Sequence, residues 1–211
     1  MDGIRGAVLG AARAITPLLA DERVAARWAE PSALVGFTVG GVAGHLARAL
    51  DTVERYLADA EPPDEDVLDS VTYYRIGRAR ADDAQHAGIR QRGEKAGSIG
   101  PVALAAEHEA RVERVATLLA TVPPTRRVAV AGGGARMLID DYLATRLVEI
   151  VVHADDLAAS IGVDPVPFDA EATGRVIDVL LGIARDHHGD PAVIRALTRR
   201  ERDTVEALRV L

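Results

Sequence analysis

Residues 138–160, LIDDYLATRLVEIVVHADDLAAS, decide the fold. At about 100° per residue, Tyr142, Arg146, Glu149, His153 and Asp156 fall within about 80° of one another on a helical wheel. The positions between them are mostly apolar: Leu143, Leu147, Val148, Ile150, Val151, Val152 and Leu157. A surface helix has a polar face wider than its apolar one. Here the middle turns carry only Glu149 and His153 as polar groups, so the spacing predicts a helix packed on most of its circumference. Glu149 and His153 stand at i and i+4, which places their side chains together on one face. A carboxylate and an imidazole isolated among aliphatic side chains require compensation, because unpaired buried charge is costly. A bound metal ion would supply it.

Outward from this stretch, helical periodicity dominates and period-2 alternation is nearly absent. The N-terminal pattern predicts a helix over 3–19 and a short helical piece over 21–28. Thr38 reads as the N-cap of a long helix running to 57, with Gly40 and Gly41 weakening its first turn. Residues 61–66 read as a loop by composition. A helix is expected around 71–85, followed by a charged, glycine-containing connection. Pro101 fits the first turn of a helix to 119. Residues 127–131 read as a short strand or an extended link, and Gly132, Gly133 and Gly134 as a turn. The helix of the opening stretch starts at 135 or 138 and stops at Gly162. Asp169 can cap a further helix to 188, and Asp190-Pro191 opens a last one. Four substantial helices in the first 160 residues predict an all-α fold. The expected architecture is a four-helix bundle over 1–165 with a short C-terminal helical extension over 166–211.

Composition narrows the function. Of the 211 residues 48% are hydrophobic, yet there are only two Phe and one Trp, so the core must be built from Ala, Val, Leu and Ile, as suits closely packed helices. A net charge of -7 argues against a nucleic-acid backbone or an anionic membrane as the main partner. The absence of Cys excludes disulfides, a Cys-type zinc finger and a protein thiolate nucleophile. Any thiol chemistry must use the thiol of a cosubstrate. The N-terminal residues lack a charged segment followed by an apolar one, and no apolar run reaches membrane-spanning length, so a soluble, cytoplasmic protein is expected. Lys95 is the single lysine and Asn is absent, a bias that reads as GC-rich codon usage.

Catalytic metal sites commonly combine three protein ligands with an open position. Glu149 and His153 supply two. His45, in the middle of the helix that follows Thr38 and flanked by Val42, Leu46 and Ala49, is the leading third ligand. His86 and His108 sit among charged residues and are expected to be exposed. His187 and His188 fall at a helix end, where the dipole favours a cation and no special role is needed. The pattern of residues leaves a plainer reading open, in which Glu149 and His153 are a solvated helix pair and His45 is a core histidine. The triple glycine lacks the Lys-Ser/Thr and parallel sheet of a phosphate loop.

The segment WAEPSALVGFTV at 28–39, followed by GHLA at 44–47, resembles the N-terminal signature of the mycothiol-dependent maleylpyruvate isomerase family, within the DinB-like superfamily of metalloenzymes. DYL at 141–143 with RLVEIVVHADDL at 146–157 is similar to its second signature. The resemblance implies a DinB-like four-helix bundle with a divalent metal, usually zinc. One His from the second long helix and a Glu-x-x-x-His on the last would hold it, positions matched here by His45, Glu149 and His153. Two departures stand out. The isomerases carry a second C-terminal domain that helps shape the active site, where this sequence has only residues 166–211, so maleylpyruvate itself is not carried over as the substrate. Gly41 stands where an acidic or polar residue is expected.

Around these ligands, Arg146 is placed to pair with Glu149 or reach a substrate anion, and Asp156 to accept the distal N–H of a ligand histidine. Both also fit ordinary helix-surface charges. Tyr142 reads as a rim residue. Arg90 and Arg92 read first as a solvated cluster and second as a grip for a carboxylate. The expected function is a metal-dependent enzyme, with zinc as cofactor and mycothiol or a similar thiol as cosubstrate, acting on a small-molecule electrophile by isomerisation or S-transfer. The alternatives are a metal-dependent hydrolase that activates water and a non-catalytic helical domain that binds a ligand or partner. An Ala/Leu/Val-rich bundle is also compatible with a homodimer.

Overall fold

A computed structural model describes residues 3–63, 65–79, 83–130, 134–198, 201 and 205–211. The elements are α1 (Gly3–Ala14), α2 (Thr16–Leu19), α3 (Glu22–Ala26), α4 (Val39–Ala58), β1 (Val67–Leu68), α5 (Ser70–Ala79), α6 (Asp83–Gly97), α7 (Pro101–Thr121), β2 (Arg127–Val130), β3 (Ala135–Leu138), α8 (Ile139–Ile161), α9 (Ala170–His188), α10 (Asp190–Thr198) and a closing 3-10 turn (Val205–Leu208). The long helices start and stop where their caps dictate. Thr38 accepts from the Gly41 N–H at 2.9 Å, and Asp169 accepts from that of Ala172 at 2.7 Å. Gly162, at φ 71°, ends α8 in the left-handed conformation.

The all-α class expected from the periodicity is present. Helix α4 lies at the centre, packed against α6, α7 and α8, while α1 closes the other side against α7 and α8. The core between them is aliphatic: Leu46, Leu50 and Val53 from α4 meet Leu143, Leu147 and Ile150 from α8 and Val112, Val115 and Leu119 from α7. Helix α9 lies over α8, α1 and α5, and its Ala172 and Val176 belong to this same core. Ile183, Ala184, Val193 and Val210 form a smaller cluster around α10 and the C-terminus. Among the described residues no helix is long and apolar enough to cross a membrane.

Two regions differ from the sequence expectation. The single helix expected over 71–85 is two, α5 and α6, with 80–82 outside the described residues. The charged stretch taken as a connection is most of α6. Its glycines lower helix propensity and blur its pattern, but they let α6 lie against α4 with the backbones in contact. A Cβ on Gly93 would stand 2.7 Å from the Gly41 carbonyl oxygen, and one on Gly44 would stand 2.5 Å from the Gly97 nitrogen. Small residues on both helices are the condition for this approach.

The other difference is a small sheet of order β1-β3-β2. β2 pairs antiparallel with β3, from Arg127↔Leu138 to Val130↔Ala135, and β1 adds to β3 in parallel through Val67↔Arg136 and Leu68↔Met137. Of the expected glycine turn, Gly132 and Gly133 lie outside the described residues. Because 135–138 is committed to the sheet, α8 starts at Ile139, whose N–H bonds to the Arg126 carbonyl at 2.8 Å.

Candidate metal centre

The middle of α4 and the middle of α8 run side by side, and their inward polar residues meet. His45 Nε2 lies 3.1 Å from Glu149 Oε2, and His153 Nε2 lies 3.4 Å from the same oxygen. The two imidazoles stand edge to face, with centroids 4.5 Å apart. One donor atom from each of the three side chains falls within 4.8 Å of the others. The side chains are 17%, 22% and 18% exposed for His45, Glu149 and His153, enough to be reached from outside and too little to be solvated like a surface pair.

Charge follows burial and partners. Burial lowers the His45 pKa, and Glu149 only partly opposes it. Burial would raise the Glu149 carboxyl, but the hydrogen bonds of His153 and His45 and the nearby Arg146 charge hold it well below the usual carboxylate range. Burial also acts against charge on His153, where Asp156 and Glu149 win and push it up to about 9. Asp156 Oδ2 sits 2.9 Å from His153 Nδ1, so it accepts the Nδ1 proton and leaves Nε2 facing Glu149 and His45.

Two imidazole nitrogens and a carboxylate oxygen, converging from two helices, match the donor chemistry of a three-ligand divalent site with a free position. Zinc fits such a His/His/carboxylate set. The centre borders a cleft of about 970 Å³ lined by residues of α4, α5, α6, α7 and α8, with His45 and Glu149 in its wall.

Sequence reading found neither the role of Tyr74 nor the true place of Tyr142. From α5, the Tyr74 hydroxyl lies 3.3 Å from Glu149 Oε1 and 3.2 Å from the Thr145 carbonyl. It steadies the oxygen that the histidines do not use, and its own proton is held firmly by burial and by the Glu149 charge. Its only sequence signal is a pair of adjacent tyrosines in a chain with four. Tyr142, expected at the rim, is 2% exposed; its hydroxyl donates to Thr52 Oγ1 at 2.6 Å. The Arg146 guanidinium lies over its ring, 4.8 Å from the centroid. Arg146 makes no ion pair with Glu149 within salt-bridge distance, and its Nε donates to Thr145 Oγ1 at 3.1 Å.

The other histidines stand apart from the centre. His108, expected to be exposed, is 1% exposed, its Nε2 bonded to the Ala12 carbonyl of α1 at 2.9 Å. Its charged sequence neighbours face away while it follows the Leu104–Val112–Val115 stripe inward. His86 is exposed, as expected. At the end of α9, His187 accepts from Arg78 at 2.9 Å, and desolvation with the charges of Arg78 and His188 lowers its pKa, against the cation favoured by the helix end. Arg90 lies against Gly36, and Arg92 lines the cleft.

Residues 9–158 match the family model described as the mycothiol maleylpyruvate isomerase N-terminal domain. A crystal structure of the mycothiol-dependent maleylpyruvate isomerase aligns with TM-score 0.51 at 17% identity, covering 86% of this chain and 71% of that one. A histidine-to-alanine mutant of that enzyme aligns with TM-score 0.50 at 19% identity and the same coverage. At such identities the likeness shows the fold alone. A search of curated proteins finds no match.

Proposed function

The chain belongs to the mycothiol maleylpyruvate isomerase N-terminal domain family, and from that premise we propose that it is a metal-dependent enzyme of low-molecular-weight thiol chemistry. His45, Glu149 and His153 are the ligands of the metal, for which zinc is the choice that suits the donor set. When bound there, the metal supplies a Lewis-acidic position at which the sulfur of mycothiol or a similar thiol is kept as a thiolate near neutral pH. The reaction class is isomerisation or S-transfer at a small-molecule electrophile seated in the adjoining cleft.

The chain's own residues prepare this site. Asp156 holds the Nδ1 proton of His153, so that the Nε2 proton, facing inward, is the one a bound metal would displace. Tyr74 occupies Glu149 Oε1 and leaves Oε2 toward the two imidazoles. The Arg146 charge helps keep Glu149 ionised. The absence of Cys is in keeping with a nucleophile delivered by a cosubstrate. We also propose that 1–165 is the metal-binding bundle and 166–211 an extension that braces α8 from outside through α9.

One observation carries the reading: three donor atoms of metal-ligating type converge within 4.8 Å beside a cleft large enough for both reactants. The test is thermal melting of the full chain with zinc, alone and with a low-molecular-weight thiol. A rise in Tm on adding thiol, lost in His153→Ala, supports the reading. A wild-type protein whose Tm no thiol moves contradicts it, and turnover of esters or amides without thiol would move the assignment to hydrolysis.

A further inference from the structure

Helix α4 carries His45 and opens on a sequence poorly made for a helix start. Thr38 is a good N-cap, but the second and third helical positions are Gly40 and Gly41, which lose much conformational entropy on folding. The start is nevertheless fully bonded. The Val39 N–H donates to the Glu30 carbonyl at 2.9 Å and the Gly40 N–H to the Trp28 carbonyl at 2.8 Å. The Gly41 N–H donates to Thr38 Oγ1 at 2.9 Å, and Val42 begins the regular ladder at the Thr38 carbonyl. In a capping box the amide of the N-cap residue itself is taken by a Glu or Gln at the third helical position. Gly41 has no side chain to offer.

Glu94 of α6 takes that place. The Thr38 N–H donates to Glu94 Oε1 at 3.1 Å. The Thr38 hydroxyl donates to the same carboxylate, 2.9 Å from Oε1 and 3.0 Å from Oε2. A Cβ on Gly41 would stand 2.7 Å from the Glu94 carboxyl carbon and in overlap with Oε1. The carboxylate thus fills the space of the absent side chain, with its charge at the positive end of α4. The capping box is complete, but its second half comes from another helix, 56 residues along the chain.

What Glu94 fastens bears directly on His45. Its neighbour Gly93 lies so close that a Cβ there would stand 3.2 Å from His45 Cβ and 3.3 Å from Phe37 Cε1. The Phe37 ring, one residue before the cap, meets the His45 imidazole edge on, with centroids 6.0 Å apart. We propose that Glu94 is a positioning residue of the metal centre: by completing the cap of α4 from α6, it holds Phe37 and Gly93 against His45 and sets the imidazole toward Glu149. This rests on the proposed function only in taking His45 as a metal ligand. The shared cap also makes α6 docking and metal binding reciprocal, since whatever steadies the His45 segment favours both.

Two measurements on the full chain test this: amide hydrogen exchange of the metal-free protein, and competition of zinc or cobalt(II) against a chelator. Glu94→Ala is expected to speed exchange at residues 41–46 and to weaken zinc, each by about tenfold, the range of outer partners of metal ligands. Gly41→Glu added to Glu94→Ala rebuilds the box within α4 and should recover most of each loss. Glu94→Gln, which keeps an acceptor for the Thr38 N–H, should lie between wild type and Glu94→Ala, and it carries the comparison if Glu94→Ala does not fold. The visible spectrum of bound cobalt(II) follows ligand geometry, so it should shift in Glu94→Ala and return in the double variant. Glu113→Ala, which removes an exposed ion pair to Arg13 elsewhere on the bundle, should alter none of these. Unchanged zinc affinity in Glu94→Ala, or a loss that the double variant does not recover, would overturn the proposal. A wild-type chain that binds neither metal would overturn the metal centre instead, and exchange then decides alone. Protection at 41–46 that depends on Glu94 supports its ordering of the His45 segment, and protection indifferent to Glu94 overturns it.

Discussion

His45 and His108 occupy matching positions in two neighbouring seams of the bundle and are put to different use. Both lie mid-helix, both point inward, and burial lowers the pKa of both. In the α1–α7 seam, His108 finds one hydrogen-bond partner, the Ala12 carbonyl, and its other nitrogen is buried without one among the described residues. A neutral imidazole with one donated hydrogen bond is a tolerable core residue. In the α4–α8 seam, His45 meets a carboxylate and a second imidazole, with a third layer of Asp156 and Tyr74 behind them. Burial is common to the two seams; convergence of donor atoms is not. The contrast separates a histidine that fills a core from one that contributes to a site.

The comparison can be broken most severely at the backbone that places His45. A Cβ at Gly44 would enter the Gly93 carbonyl and Gly97 amide of α6. Gly44→Val is expected to lose about 3 kcal/mol or to prevent folding, as overpacking at a closed contact does. Chemical denaturation measures it, and a wild-type midpoint would show that α4 and α6 do not approach so closely. Next comes the structural histidine. His108→Ala leaves a cavity and removes one hydrogen bond to the Ala12 carbonyl, which the Thr16 hydroxyl still reaches at 3.3 Å, for an expected loss of about 2 kcal/mol with metal content unchanged. Loss of metal without loss of stability would erase the distinction between the seams. The smallest effect is at Tyr74. Removing its hydroxyl in Tyr74→Phe should weaken metal affinity roughly tenfold while the melting curve of the metal-free protein barely moves, in keeping with other outer partners of metal ligands. Unchanged affinity in a chelator competition would reduce Tyr74 to packing.

These residues also mark what was legible in the sequence. Helix α8 was readable because its polar groups fall on one narrow stripe, and that periodicity survives any tertiary context. His45 was readable because its neighbours at helical spacing are apolar. His108 carried the same signal in Leu104, Val112 and Val115, but its nearest sequence neighbours, Glu107, Glu109 and Arg111, mask it unless the chain is read at 3.6 residues per turn. Helix α6 was not readable: Gly88, Gly93 and Gly97 are breakers by propensity, and only the presence of Gly40, Gly41 and Gly44 on α4 turns Gly93 and Gly97 into a packing surface. The β1-β3-β2 sheet was missed except for its β2 strand because its strands are too short to alternate visibly. Tyr74 and the cleft depend on how α5 and α6 are placed, which no local pattern encodes.

The central claim is that His45, Glu149 and His153 form one metal centre across two helices. Elemental analysis of the purified full chain beside its His45→Ala variant tests it most directly. The account predicts about one divalent ion per chain in the wild type, with zinc as the leading metal, and its loss in a variant that still melts cooperatively. A wild-type protein that takes up no divalent ion, or a His45→Ala variant that holds as much as the wild type, would contradict it.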